Sequence, residues 1–191
     1  MLHVPVIFGS VRKERQGIKA ARFVVEELKR RHCDAPLVDP LEYRLPLLEM
    51  QYSDYPAGQA PQILEQLAQM YRSADGFAIV SAEYNHGIPP ALKNLLDHFL
   101  EEYFWRPSGI ICYSNGRFGG VRAAMQLRMT LAELGMSSIP SLLPIANVSE
   151  AFTDTGEPTD PHFRERNARF FDEFMWYMQA LGEQRRKGVP Y

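Results

Sequence analysis

The chain has 191 residues, 46% of them apolar and 23% charged, with a formal net charge of −2. That length fits one domain spanning 1–191 with a core large enough to need neither a disulfide nor a metal, and the apolar share excludes disorder. A charge so near neutrality supplies no basic face for nucleic acid or an anionic membrane, and the short run Arg185-Arg186-Lys187 reads as a solvated tail.

Short apolar runs alternate with helical patterns along the chain. Val4 to Phe8, closed by Gly9-Ser10, reads as a buried strand. Ile18, Ala21, Val25 and Leu28 recur at helical spacing with charged residues between them. Pro36 to Asp39 reads as a second strand, and the proline-rich stretch Pro40 to Ala60 as a long irregular connection. Ile63, Leu64, Leu67 and Tyr71 mark a second helix, and Asp75-Gly76 turns into the strand Phe77 to Ser81. Pro89-Pro90 opens the next helix, since the first turn does not use the missing N–H, and its stripe reads Leu92, Leu95, Leu96, Phe99 and Tyr103. Ser108 to Tyr113 is a fourth strand. A helix marked by Ala124, Leu127, Leu131 and Leu134 ends at Gly135, and Ser137-Ser138-Ile139 reads as a short edge strand. Phe163 to Leu181 carries a long final helix.

Five strand–helix alternations predict an α/β fold: a parallel sheet with helices on both faces, in the 2-1-3-4-5 order of flavodoxin-like three-layer sandwiches. Cys33 and Cys112 lie outside any metal or redox spacing, which points to a reducing compartment. Met1 to Gly9 has no basic start and reaches glycine too soon for an export signal, and no apolar run approaches the roughly 18 residues of a spanning helix. The expected location is therefore cytoplasmic, without a membrane partner, and Asn147-Val148-Ser149 matches a glycosylation pattern only by chance.

Three unusual segments follow the first, third and fourth strands, and a parallel sheet brings them to one edge. Gly9 to Gly17 is neither a Walker loop nor G-x-G-x-x-G, yet it joins a glycine turn, a hydroxyl, two arginines and a helix N-terminus. That set suits a phosphate, or is a polar loop with solvated arginines. Glu83-Tyr84-Asn85-His86-Gly87 can set an aromatic face and amides against a flat heterocycle, or can be a turn whose tyrosine covers core. Ser114 to Gly120 has three glycines, for close approach to a ligand or for positive φ. Asp97 and His98 face different directions on a helix and make no dyad. No G-x-S-x-G elbow or H-E-x-x-H occurs, so no nucleophile or metal site is expected.

In order along the chain, Gly9-Ser10-x-Arg12, Glu83-Tyr84-Asn85-x-Gly87-x-Pro89-x-Ala91-Leu92-Lys93-Asn94-x-x-Asp97 and Gly116-Arg117-Phe118-Gly119-Gly120-Val121-Arg122 resemble the NADPH-dependent FMN reductase family, up to about Leu134. This family has a flavodoxin-like fold and includes quinone, azo-dye and chromate reductases. Ala82 stands where the family usually has proline, and Pro90 where it usually has glycine.

The resemblance implies that Ser10, Arg12, Arg15 and Gln16, with Gly17, hold the phosphate of FMN. Ala82, Glu83, Tyr84 and Asn85 would contact the ring, and Ser114, Gly116 and Gly119 would line its other edge. It implies NAD(P)H as co-substrate, hydride transfer to the flavin, and ping-pong reduction of a quinone, flavin or similar small acceptor. Tyr84, His86 and Phe118 would line the acceptor pocket, with no catalytic side chain, because the cofactor carries the chemistry. A homodimer or tetramer is expected, with Tyr103, Phe104 and Trp105 as candidate contact surface. The rival readings are a flavodoxin-type electron carrier and a protein whose flavin state controls partner binding.

Overall fold

The computed structural model describes residues 1–191. Its strands are β1 (Val6–Phe8), β2 (Leu37–Val38), β3 (Phe77–Ala82), β4 (Pro107–Tyr113) and β5 (Ser137–Ile145). They form one sheet in the order β2-β1-β3-β4-β5, every pair parallel, as the alternation predicts. The helices are α1 (Gly17–Arg30), α2 (Gln62–Arg72), α3 (Pro90–Asp97), α4 (Val121–Glu133), α5 (Val148–Ala151) and α6 (Phe163–Lys187).

Successive side chains of a strand point to opposite faces, and the sheet uses both. Val6, Phe8, Ala78, Val80, Ile111 and Tyr113 join the core under α1 and α6, whereas Ile7, Phe77, Ile79, Ile110 and Cys112 join the core under α2, α3 and α4. Burial on both faces explains why the strands read as continuous apolar runs rather than alternating ones. Both cysteines are free and buried, and no helix is long and apolar enough to cross a membrane.

Four expectations need correction. The apolar stripe of α3 continues in space but not in one helix: α3 ends at Asp97, and Phe99 and Tyr103 reach the core from a turn and a 3₁₀ segment at Glu101–Tyr103. Their rings pack around Tyr71 at 5.0 and 5.4 Å, and this aromatic cluster fixes the backbone that helical periodicity alone would have extended. Strand β5 runs nine residues instead of three. Pro140 breaks its pattern at a bulge where pairing jumps from Ser108–Ser138 to Ile110–Leu142, and an edge strand tolerates the missing N–H. Arg128 of α4 donates to the carbonyls of Ile139 and Pro140, and Glu173 of α6 accepts from the Ser141 N–H, so flanking helices clamp the bulge.

The basic run is helical rather than a tail, although Arg186 and Lys187 are exposed to solvent as expected. It forms the last turn of α6, where Arg185 donates to the Trp105 carbonyl at 3.1 Å and pairs with Asp75 at 3.5 Å. Finally, Tyr103 is fully buried, and Phe104 and Trp105 pack against the chain's own Tyr191, with ring centroids 6.0 and 4.7 Å away. Burial withdraws Tyr103 as a contact surface, whereas Phe104 and Trp105 remain half-buried beside the exposed Tyr191.

Candidate active site

The loops after β1, β3 and β4 meet at the carboxyl edge of the sheet around a cavity of about 210 Å³. Ser10, residues 12–17 and Ala82–Tyr84 form two of its walls; Tyr113–Asn115 and Val148 complete it. The site therefore sits at the crevice between β1 and β3, where the strand order reverses.

The first loop leads into α1, whose N-terminus carries no side-chain cap: Gln16 precedes it, with its amide turned back to the Glu14 carbonyl at 3.1 Å. Uncapped N–H groups and the helix dipole leave a site for an anion. Gly17 opens the helix because Tyr113 lies against it; a Cβ there would sit 1.9 Å from the tyrosine ring. Arg15 is not free. It grips both oxygens of buried Asp39 at 2.5 Å and donates to the Ser10 carbonyl at 2.9 Å, folding the loop back on itself. Arg12 and Lys13 are exposed cations that pair with no carboxylate, and the Arg12 guanidinium stands 5.9 Å from the Tyr84 ring centroid.

In the second loop, Tyr84 and Gly87 exchange both backbone hydrogen bonds, at 3.0 and 2.9 Å, around Asn85 (φ 50) and His86 (φ 66). Both positive φ values identify a tight type I′ turn, with Asn85 and His86 at its tip. The Tyr84 hydroxyl bonds Ser10 Oγ at 2.8 Å and ties this loop to the first. Glu83 lines the cavity while its Oε2 accepts from the N–H groups of Arg122 and Ala123 at 3.0 and 3.1 Å, capping α4. Pro90 occupies the first position of α3, where its fixed φ suits the helix.

In the third loop, Gly120 has φ +81 and lies 2.8 Å (at a hypothetical Cβ) from the Tyr113 carbonyl, and Gly119 has φ +59 against Ile145. Both serve the turn between β4 and α4. Ser114 Oγ bonds the Gly116 carbonyl at 3.1 Å. Phe118 is exposed and lies between the guanidinium groups of Arg117 and Arg122, at 4.7 and 4.6 Å.

A scan of the chain against family models matches residues 2–150 to NADPH-dependent FMN reductase. The chain belongs to this family. It is accordingly an FMN-dependent oxidoreductase using NAD(P)H. Among curated relatives, an NAD(P)H-dependent FMN reductase of Schizosaccharomyces pombe is 30% identical over 193 residues, covering 94% of this chain and 92% of that protein. A quinone reductase of Pseudomonas putida is 30% identical over 165 residues, covering 82% and 84%. Among solved structures, the flavoenzyme NAD(P)H:(acceptor) oxidoreductase FerB of Paracoccus denitrificans superposes with a TM-score of 0.75 at 22% identity, over 94% of this chain and 98% of that one, which speaks to the fold.

Of the residues the sequence singled out, the reductase gathers Ser10, Arg12, Arg15, Gln16, Gly17, Ala82, Glu83, Tyr84 and Ser114 around the cavity. Asn85, His86, Gly116, Gly119 and Phe118 do not line it. Sequence reasoning missed Lys13, Glu14, Tyr113, Asn115 and Val148. Tyr113 was legible only as the last residue of a strand. Val148 was hidden because β5 was expected to stop at Ile139, so no loop was sought after it. No group of three His, Cys, Asp or Glu side chains lies together as a metal site.

Proposed function

We propose that the chain binds FMN at the carboxyl edge of β1 and β3 and passes two electrons from NAD(P)H to quinone-like or free-flavin acceptors in ping-pong order. The observation that carries the reading is the uncapped N-terminus of α1 facing a cavity walled by Arg12, Lys13 and Ser10, a fit for a terminal phosphate. Arg12 and Lys13 supply charge to the phosphate, and Arg15, held by Asp39, shapes the loop that presents it. Ala82 to Tyr84 would present backbone groups to the ring with Ser114 across from them, and Asn85, Gly116 and Gly119, outside the cavity lining, would meet the part of the ring that projects beyond it. Glu83 fixes both loops by capping α4. Tyr84 and the exposed His86 and Phe118 select acceptors by shape. Bound FMN supplies the hydride acceptor and donor, so no side chain of this chain acts as nucleophile or dedicated acid–base.

We also propose a homodimer or tetramer. Apolar surface suited to it includes α4, where Met125 and Met129 are exposed one turn apart. A cytoplasmic location accords with two free cysteines.

Purified protein reconstituted with flavin should retain FMN in preference to FAD, identified by mass after release. Double-reciprocal plots of NAD(P)H oxidation at several quinone concentrations should be parallel. Retention of FAD alone, or no flavin affinity, would overturn the cofactor assignment; intersecting lines would overturn the ping-pong order.

A further inference from the structure

Tyr113 closes β4 and is 6% exposed, and its hydroxyl is buried without a hydrogen-bond partner. Leaving a buried hydroxyl unpaired costs about 1–3 kcal/mol, so such a group calls for an explanation. Its surroundings supply one. The residue lines the cavity, and the hydroxyl lies at the first turn of α1: a Cβ on Gly17 would come within 2.2 Å of it. Only a glycine lets the phenol come so close to this helix end. Ser10 is a polar neighbour and lowers the phenol's pKa somewhat, but Ser10 Oγ bonds the Tyr84 hydroxyl at 2.8 Å and does not come within hydrogen-bonding geometry of the phenol. Burial pushes the phenol well above its ordinary range, with Tyr84 adding to the shift and Ser10, Arg15 and Arg12 opposing it, so the group stays protonated at neutral pH and can donate.

We infer that the Tyr113 hydroxyl is a phosphate ligand of this site, donating its proton to an oxygen of the FMN phosphate held at the N-terminus of α1. The inference rests on the FMN reading above and adds a donor from β4 to a cradle otherwise built from the loop after β1. It accounts together for the unpaired hydroxyl, for glycine at position 17 and for a tyrosine at the end of a core strand.

The test compares FMN with riboflavin, which has the same ring and ribityl chain but no phosphate, on the apoprotein and its Tyr113→Phe variant. The variant should bind FMN about tenfold more weakly or worse, as for loss of a hydrogen bond to a charged group, and should bind riboflavin as the unaltered protein does. Without ligand, the variant's thermal midpoint should equal or exceed that of the unaltered protein, because the hydroxyl removed has no partner there. Equal weakening of both flavins, unchanged FMN affinity, or a lower midpoint of the apo variant would each overturn the inference. If the unaltered protein binds neither flavin, the FMN reading itself falls, a result distinct from any of these.

Discussion

At the scale of single residues, the two arginines that look equivalent in the sequence have different physical situations. Arg12 is exposed and free of any carboxylate, whereas Arg15 is largely buried and clasped by Asp39, which is 3% exposed. Arg12→Ala should therefore weaken FMN binding roughly tenfold while moving stability by no more than about 0.5 kcal/mol, with kcat recovered at saturating FMN. Arg15→Ala strands the Asp39 carboxylate in the interior and should cost on the order of 3–5 kcal/mol in urea unfolding. Replacing both, Arg15→Met with Asp39→Leu, should restore much of that loss, because removing a buried pair together is far cheaper than removing one partner. Equal stability of the two single-arginine variants would refute the distinction.

At the scale of elements, loop and helix are joined through Glu83. Its carboxylate caps α4 while its backbone belongs to the loop proposed to face the flavin ring, so the cap holds the position of both. Glu83→Ala should lower stability by about 1–2 kcal/mol, the usual loss for a helix cap, and Glu83→Gln should lose less because one oxygen remains to accept. Denaturant unfolding of the apoprotein measures this directly; an unchanged midpoint for the alanine variant would show that α4 does not depend on the cap. Strand β5 makes a related point. Its bulge around Pro140 is held by Arg128 and Glu173 from helices on opposite faces, so its length is a property of three elements together.

At the scale of the whole molecule, stability should fall at high pH. Burial raises Cys112 from 9.0 to about 12 and pushes Tyr71, Tyr103 and Tyr113 above their ordinary range. Above about pH 9 the unfolded chain gives up protons that the folded chain keeps. The unfolded state then binds fewer protons, so the stability these neutral groups contribute is whole below that pH and is lost as pH climbs toward their folded values. Thermal midpoints should decline steadily from pH 9 upward, and the share of tyrosinate absorbance belonging to the three buried rings should appear only on unfolding; ionisation of these three tyrosines in the still-folded protein would contradict the assignment. Assembly belongs to this scale too. Sedimentation at micromolar concentration should show a dimer or larger species, and Met125→Glu with Met129→Glu should drive it toward single chains. A single-chain mass for the unaltered protein would refute the oligomer.

The sequence by itself determined the alternation of strands and helices, the parallel sheet order and the three loops that carry the site, because those follow from local periodicity, proline and glycine placement and the handedness of crossovers. It also determined the family, through motifs whose order survives in the chain. Only the tertiary structure decided what each side chain in those loops does. Arg15 turned inward because Asp39, distant in sequence, supplies a buried counter-charge, and Glu83 turned to α4 because that helix begins beside it with open N–H groups. Phe99 and Tyr103 left the helix pattern for an aromatic cluster, and Tyr113 came to the cavity wall because Gly17 leaves it room. Periodicity records which residues are buried, but partners separated along the chain meet only when the sheet closes, and those meetings set charge, hydrogen bonding and orientation at the site.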